Sequence, residues 1–352
     1  MKYLFILGRN IELSIEEVKS FLKRTKNKII NLKQNRNSIL IETQNSLKPN
    51  AINQLGGVIA IGEVKDKEQE LYSGTSNKLN YVLWNFSNQE DVEKTREYLK
   101  KRFKNEKLKA TEKKLGRIIS MQNKKKASTL SSKNIQEQFF IFNNEFGKII
   151  QTCDYKNIEK RDMQKPITRS ELSISPRLSK IMINLSEVKK GKLLDSFCGI
   201  GVILSEALLQ NIPVIGIDID KKALEGAKKN LQWQNFKDFK LIKADSRKIK
   251  IPLCEVLVSE PDLGEILKKI PTKEKAKDTL RKFTSLMISV INNIKENVSG
   301  RIVFTAPYIK TIHKRIGCDS KEIALKTKKE LVLKIPEFRE NQIVGREIIV
   351  LE

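Results

Sequence analysis

Leu193–Leu209 reads "LLDSFCGIGVILSEALL". A short apolar run delivers an acid, Asp195, to a Gly199-Ile200-Gly201 elbow, after which apolar residues recur at helical spacing. The pattern is strand, tight turn, helix. Glycine lets a backbone turn sharply and approach a ligand closely. In dinucleotide enzymes such a turn aims a helix N-terminus at a pyrophosphate. Here Leu204 stands where the third glycine of G-x-G-x-x-G belongs, and an acid precedes the turn. An acid at that point repels a pyrophosphate and suits a cationic or zwitterionic ligand.

The following strands extend the argument. "VIGIDID" ends in Asp218-Ile219, at about the spacing where an acid grips ribose hydroxyls. The third strand ends Ala244-Asp245-Ser246, where an acid can reach an adenine amino group. Asp220 reads as the N-cap of the next helix. Three acids at one edge of a parallel sheet define one crevice. S-adenosylmethionine (SAM) carries an amine and a sulfonium and has no phosphate, so it fits this series better than NAD does.

Outward from the elbow, Pro176 onward alternates long helices with apolar strands, which is a doubly wound, mainly parallel α/β sheet. "VLVSEPDLG" (Val256–Gly264) closes the fourth strand and puts Glu260 and Asp262 at its mouth. Residues 1–72 read as strand, helix, strand, helix, strand, with Ser14 and Glu17 of "SIEE" as a capping box. Residues 73–152 hold "KLNYVLWNF", an amphipathic helix, "GRIISM", and a hairpin about Asn143-Asn144. Residues 153–172 show no clear period and read as a linker, so the last domain is 173–352.

The chain has 352 residues and a formal charge of +26, with 68 Lys+Arg against 42 Asp+Glu. That excess calls for a polyanionic partner, nucleic acid before membrane. Between Lys100 and Lys126 stand twelve basic residues and two acidic ones. Lys100, Lys101, Arg102, Lys113, Lys114, Lys124, Lys125 and Lys126 are the candidate RNA contacts, although such a run is also what a solvated face looks like. Four scattered cysteines without a C-x-x-C pair, and one histidine, give no metal site and no disulfide framework. They also leave little material for a hydrolase triad. No apolar run approaches the roughly 20 residues of a membrane span, so the cytoplasm is the expected compartment.

"DSFCGIGVILSEALL" resembles the D-P-F-C-G-[ST]-G-T-I-L-x-E-A-L signature of RNA methyltransferases that act on exocyclic amines. "RDMQKP…SISPRLSKIMINLS", "MKYLFILGRNIELSIEEVKSFL" and "QIVGREIIVLE" are similar to segments of the THUMP-containing archaeal and eukaryotic tRNA guanine-N2-methyltransferases. The resemblance covers essentially the whole chain. It implies a ferredoxin-like domain (1–72), a THUMP domain that grips tRNA (73–152), and a Rossmann-like SAM-dependent methyltransferase domain. It further implies cofactor contacts from Asp195, Phe197, Cys198, Gly199, Gly201, Asp218, Ile219, Asp245 and Ser246. Ser196, Ile200 and Val202 depart from the signature.

The same family carries [DNS]-P-P-[YF] at the fourth strand's end. Glu260 takes the place of its acid, Pro261 of the first proline, Asp262 of the second, and Leu263 of the aromatic ring. These four are the candidate catalytic residues. Guanine's exocyclic nitrogen is a poor nucleophile, because its lone pair is delocalised into the ring. An oxygen accepting from its N–H localises that pair and offsets the charge that develops. The expected activity is methylation of guanine N2 in tRNA, by a monomer. Two rivals stay open: a SAM- and RNA-binding protein without turnover, and a DNA adenine amino-methyltransferase. Some relatives in that family need a small activating protein, and the sequence leaves that point open.

Overall fold

The computed structural model describes residues 1–66, 71–113, 135–168, 173–265 and 267–352. The chain runs β1 (Lys2–Leu7), α1 (Ile11–Arg24), β2 (Ile29–Asn35), β3 (Ser38–Thr43), β4 (Val58–Val64), β5 (Lys78–Phe86), α2 (Gln89–Asn105) and β6 (Lys109–Glu112). It continues with β7 (Glu137–Phe142), β8 (Glu145–Thr152), α3 (Tyr155–Met163), α4 (Pro176–Leu185), β9 (Leu193–Asp195), α5 (Val202–Leu208), β10 (Val214–Asp218) and α6 (Lys221–Trp233). Then come β11 (Lys240–Lys243), β12 (Val256–Ser259), α7 (Lys273–Ile294), β13 (Ile302–Lys310), β14 (Arg315–Gly317), α8 (Ser320–Thr327), β15 (Leu331–Glu337) and β16 (Val344–Leu351).

Two compact units result. The first takes Met1–Gly8, Asn27–Ile52 and Val58–Cys153; the second takes Arg9–Lys26, Asn53–Gly57 and Asp154–Glu352. The first unit is one sheet, in the order β2-β3-β1-β4-β8-β7-β5-β6. Phe140 of β7 explains two glycines in it. A Cβ on Gly62 would stand 2.5 Å from the Phe140 ring, and one on Gly147 would stand 2.4 Å from it. Strand glycines therefore make the space that a fully buried ring fills, and burial of such a ring stabilises by about 1.5–3 kcal/mol. On α2, Leu99 and Phe103 bury against Leu79, Tyr81, Phe139 and Phe146.

The second unit's sheet runs β11-β10-β9-β12-β13-β16-β15. β9 to β13 pair in parallel, whereas β16 is antiparallel to both β13 and β15. One face packs on apolar residues of α1, α4, α5 and α6, the other on α7 and α8. Strand order reverses between β9 and β12, and ligands of such sheets bind at that switch point, beyond the carboxyl ends of the strands.

Several local expectations change. The N-cap of α1 is Asn10, which accepts from Leu13 N, and Ser14 lies inside the helix. Glu17 is fully buried and accepts from Gly56 N at 2.6 Å, Gly57 N at 2.7 Å and Asn184 Nδ2 at 2.9 Å. A carboxylate with three such donors serves tertiary packing, not a capping box. The expected linker contains α3, which Asp154 caps through Asn157 N. Arg161 of α3 holds the buried Glu206 of α5 with two bonds, at 2.9 and 3.2 Å. β2, β6, β14 and α8 carry no strong period and were not foreseen. "GRIISM" lies outside the described residues.

Candidate active site

β9 ends on Asp195, which is 1% exposed. Its Oδ1 accepts from Ser259 Oγ at 2.6 Å and from Phe197 N at 3.2 Å. Ser259, at the end of β12, also accepts from Phe197 N at 3.1 Å. A single hydroxyl thus ties the first strand of the parallel sheet to the fourth. Burial pushes the Asp195 carboxyl up to about 7 against the pull of these donors, and the nearby Asp218 and Glu260 push the same way.

The elbow then turns through two left-handed glycines, Gly199 at φ +50° and Gly201 at φ +84°. Gly201 is the N-cap of α5. A Cβ on Gly201 would lie 3.2 Å from Ala227, whereas one on Gly199 would meet nothing within 4 Å. The first glycine is thus needed for backbone conformation and leaves an open face. The second allows the close approach of α6. Asp218 at the end of β10 accepts from Gly199 N at 2.8 Å through Oδ2 and from Asp220 N at 2.9 Å through Oδ1. Its carboxylate is therefore fixed at the rim with lone pairs still unused. Ile219 beside it is 66% exposed, an apolar face at the same edge. Asp220 caps α6 through Lys222 N.

The remaining cofactor candidates divide. Phe197 is partly buried, and Cys198 is buried with its N–H on Ile217 O. Ser246 is buried and its hydroxyl is spent on Ser196 O at 2.6 Å, so it braces the elbow and does not open onto the crevice. Asp245 lies at the surface, where Arg247 grips both its oxygens, at 2.9 Å from Nε and 2.7 Å from Nη2. That pairing holds the carboxyl down at about 2. An adenine amine would have to share these oxygens with Arg247.

Glu260 follows β12. Arg346 Nε, from β16, donates to Glu260 Oε1 at 2.6 Å, and the two side chains are only 18% and 10% exposed. Burial raises the Glu260 carboxyl above its ordinary range; Arg346 opposes this, with help from Thr305 and the backbone of Ile174. Pro261 is buried and Asp262 exposed. Asp262 Oδ1 accepts from Gly264 N at 3.0 Å, which closes a turn. It caps no helix, since α7 starts only at Lys273. Leu263 packs against the α7 side of the core. Tyr308 lies 5.5 Å from the Phe338 ring, with Arg315 over both. Arg346 and Ser259 were not foreseen. The Arg346-Glu347 pair that interrupts the apolar run of "VGREIIVL" marks the position but not its partner.

Of the basic candidates, Lys100 and Lys101 on α2 are exposed, and Lys113 is half-buried just after β6. Arg102 is held by Glu106 one turn on. Lys114, Lys124, Lys125 and Lys126 lie outside the described residues. Among the described residues no helix is long and apolar enough to cross a membrane.

A family model described as a methyltransferase domain matches residues 187–315, and one described as DNA methylase matches residues 9–229. A tRNA (guanine(10)-N2)-dimethyltransferase of Methanothermobacter thermautotrophicus is 37% identical over 138 residues, 39% of each chain. One of Methanocaldococcus jannaschii is 30% identical over 184 residues, 48% of this chain and 51% of that one. The matched part of this chain thus spans about two fifths to one half of those relatives. The crystal structure of TrmN from Thermus thermophilus is similar in fold, with a TM-score of 0.52 at 12% identity over 100% of this chain and 99% of that one.

Proposed function

This chain belongs to the DNA methylase family, and we propose that its reaction is methyl transfer from SAM to the N2 amine of a guanine in tRNA. The observation that carries the reading is the convergence of Asp195, Asp218 and Glu260. They stand at the carboxyl ends of β9, β10 and β12, around the point where strand order reverses. The tRNA substrate is supported by the tRNA (guanine(10)-N2)-dimethyltransferases among the relatives and by the charge of +26. On this reading residues 1–72 and 73–152, the ferredoxin-like and THUMP-like parts, share the single sheet of β1 to β8 and grip the tRNA, in a cytoplasmic monomer.

The residues present fit the cofactor. Gly199 leaves open space where a side chain would stand. Asp218 would take the ribose hydroxyls, Ile219 the adenine face, and Asp195 the amino end. When bound, SAM supplies a methyl group made electrophilic by its sulfonium. Glu260 accepts from the guanine amine, localises the nitrogen lone pair, offsets the positive charge that develops as the carbon–nitrogen bond forms and the carbon–sulfur bond breaks, and passes the surplus N–H proton to solvent. Pro261 fixes the backbone after the acid. Leu263 offers the base an apolar contact without a stacking ring, which forgoes roughly 1–3 kcal/mol available from aromatic stacking.

The missing ring is also the observation that favours a rival, a protein that binds SAM and RNA without turnover. Incubation with methyl-labelled SAM and unmodified tRNA, followed by nucleoside mass spectrometry, separates the two. N2-methylated guanosine is the expected product. Label in duplex DNA and none in tRNA overturns the substrate; no label in either overturns the reaction.

A further inference from the structure

We infer that Arg346 is the positioning residue for Glu260: from β16 it pins the carboxylate through Oε1 and so fixes the direction in which Glu260 meets the substrate amine. This rests on the reaction proposed above. The geometry is strand-borne. β16 lies antiparallel on β13, with Arg346 opposite Pro307 and Ile348 opposite Thr305. Side chains two residues apart share a face of a sheet. Arg346 therefore emerges on the same face as Thr305, whose side chain adjoins Glu260. The bond from Nε to Oε1 is 2.6 Å long.

The length of the side chain makes an anchor necessary. Glutamate has one more rotatable bond than the aspartate or asparagine that the family's motif carries there. A free glutamate would sample several rotamers and place its oxygens loosely. An arginine held in a sheet removes that freedom. It also supplies the counter-charge that a nearly enclosed carboxylate requires, since a buried charge without a partner is strongly destabilising. The groups facing Glu260 are Arg346 from β16, Asp195 from β9, Thr305 from β13 and the Ile174 backbone ahead of α4. Asp195 opposes ionisation of Glu260, and Arg346 favours it.

The test compares Arg346→Gln, Arg346→Lys, Glu260→Gln and the double variant Arg346→Gln/Glu260→Gln in tRNA methylation across pH. Arg346→Gln should lower kcat about 100-fold, a size typical of losing one electrostatic contributor. It should leave the KM for SAM within about twofold and raise the acid limb of kcat by about one pH unit, as expected when a carboxylate loses its cation. Arg346→Lys keeps a cation and should recover at least about tenfold of that loss. In the Glu260→Gln background Arg346→Gln should cost less than about threefold further, because coupled sites are not additive. An unshifted acid limb, or losses that multiply, overturns the proposal. If the wild type methylates no tRNA, the proposed reaction fails and the pairing is read from melting alone. Arg346→Gln should then melt lower than the double variant at pH 8 and level with it at pH 5. Equal melting at both pH values overturns the pairing.

Discussion

Asp195 is enclosed at the end of β9, and burial holds its carboxyl near neutrality, at about 7. Stability from this group is fully present below the ordinary carboxylate range of about 4 and is lost as pH rises through about 7. Binding of a cationic ligand runs the other way, since it requires the ionised form. Between pH 7.5 and 5.5 the affinity for SAM should fall about ten- to thirtyfold, as each pH unit below the carboxyl's midpoint approaches a factor of ten. Over that range the ligand's α-amine stays mostly protonated, because such groups titrate at about 7.7–8.0 and lowering the pH only adds to their charge. Calorimetry on the wild type and Asp195→Asn checks this: a flat profile in the wild type removes Asp195 from the amino end. Asp218→Asn keeps an acceptor for Gly199 N but loses the charge. It should weaken SAM by about 1.5–3 kcal/mol if the ribose hydroxyls bond to that carboxylate, and unchanged affinity would refute the assignment. That Asp195, Asp218 and Glu260 stand where β9, β10 and β12 end could be read from sequence, because an acid closing an apolar strand is a local signal. Ser259 and Arg346 could not. Their partners lie 64 and 86 positions away along the chain, and only strand order and register bring them together.

Elements with a strong apolar period, β5, α2, β9, α5, β10, α6 and α7, follow their sequence pattern closely. The elements that escape are held by neighbours. β2 reads Ile, Ile, Asn, Leu, Lys, Gln, Asn with little burial and exists as an edge partner of β3. β6 has only four residues and, among the described residues, pairs with β5 alone. α3 buries one side chain, Ile158, and owes its place to Arg161 on Glu206. Packing also decides the strand glycines. Gly147→Val would bring a Cβ to 2.2 Å from Glu63 O and 2.4 Å from the Phe140 ring. Since backbone and a buried ring cannot both yield, the variant should lose about 1–3 kcal/mol or more in urea unfolding. An unchanged midpoint would show that the ring has somewhere else to go.

The whole chain carries a charge of +26, and binding of tRNA should fall steeply with salt. Neutralising Z phosphates gives a log–log slope of roughly −0.7Z to −0.9Z. Replacing Lys100, Lys101 and Lys113 together with the lysines at 114, 124, 125 and 126 should flatten that slope by several units, and an unchanged slope would leave the run as a solvated face. Domain limits drawn along the sequence, at 72 and 152, are contiguous because sequence patterns are local, and the second falls beside the passage at Cys153. The structure assigns Arg9–Lys26 and Asn53–Gly57 to the unit that also holds Asp154–Glu352. Leu13 of α1 belongs to that unit's core, and Glu17 is bonded to Asn184 of α4. The chain therefore passes from one unit to the other at Gly8, again at Lys26, Ile52 and Gly57, and last at Cys153. For a gene this has a hereditary consequence. A recombination breakpoint between the codons for Gly8 and Asp154 divides at least one unit, and mostly both, instead of separating them. Shuffling could exchange these two units intact only by several simultaneous crossovers, so they are bound to be inherited, and to diverge, as a pair.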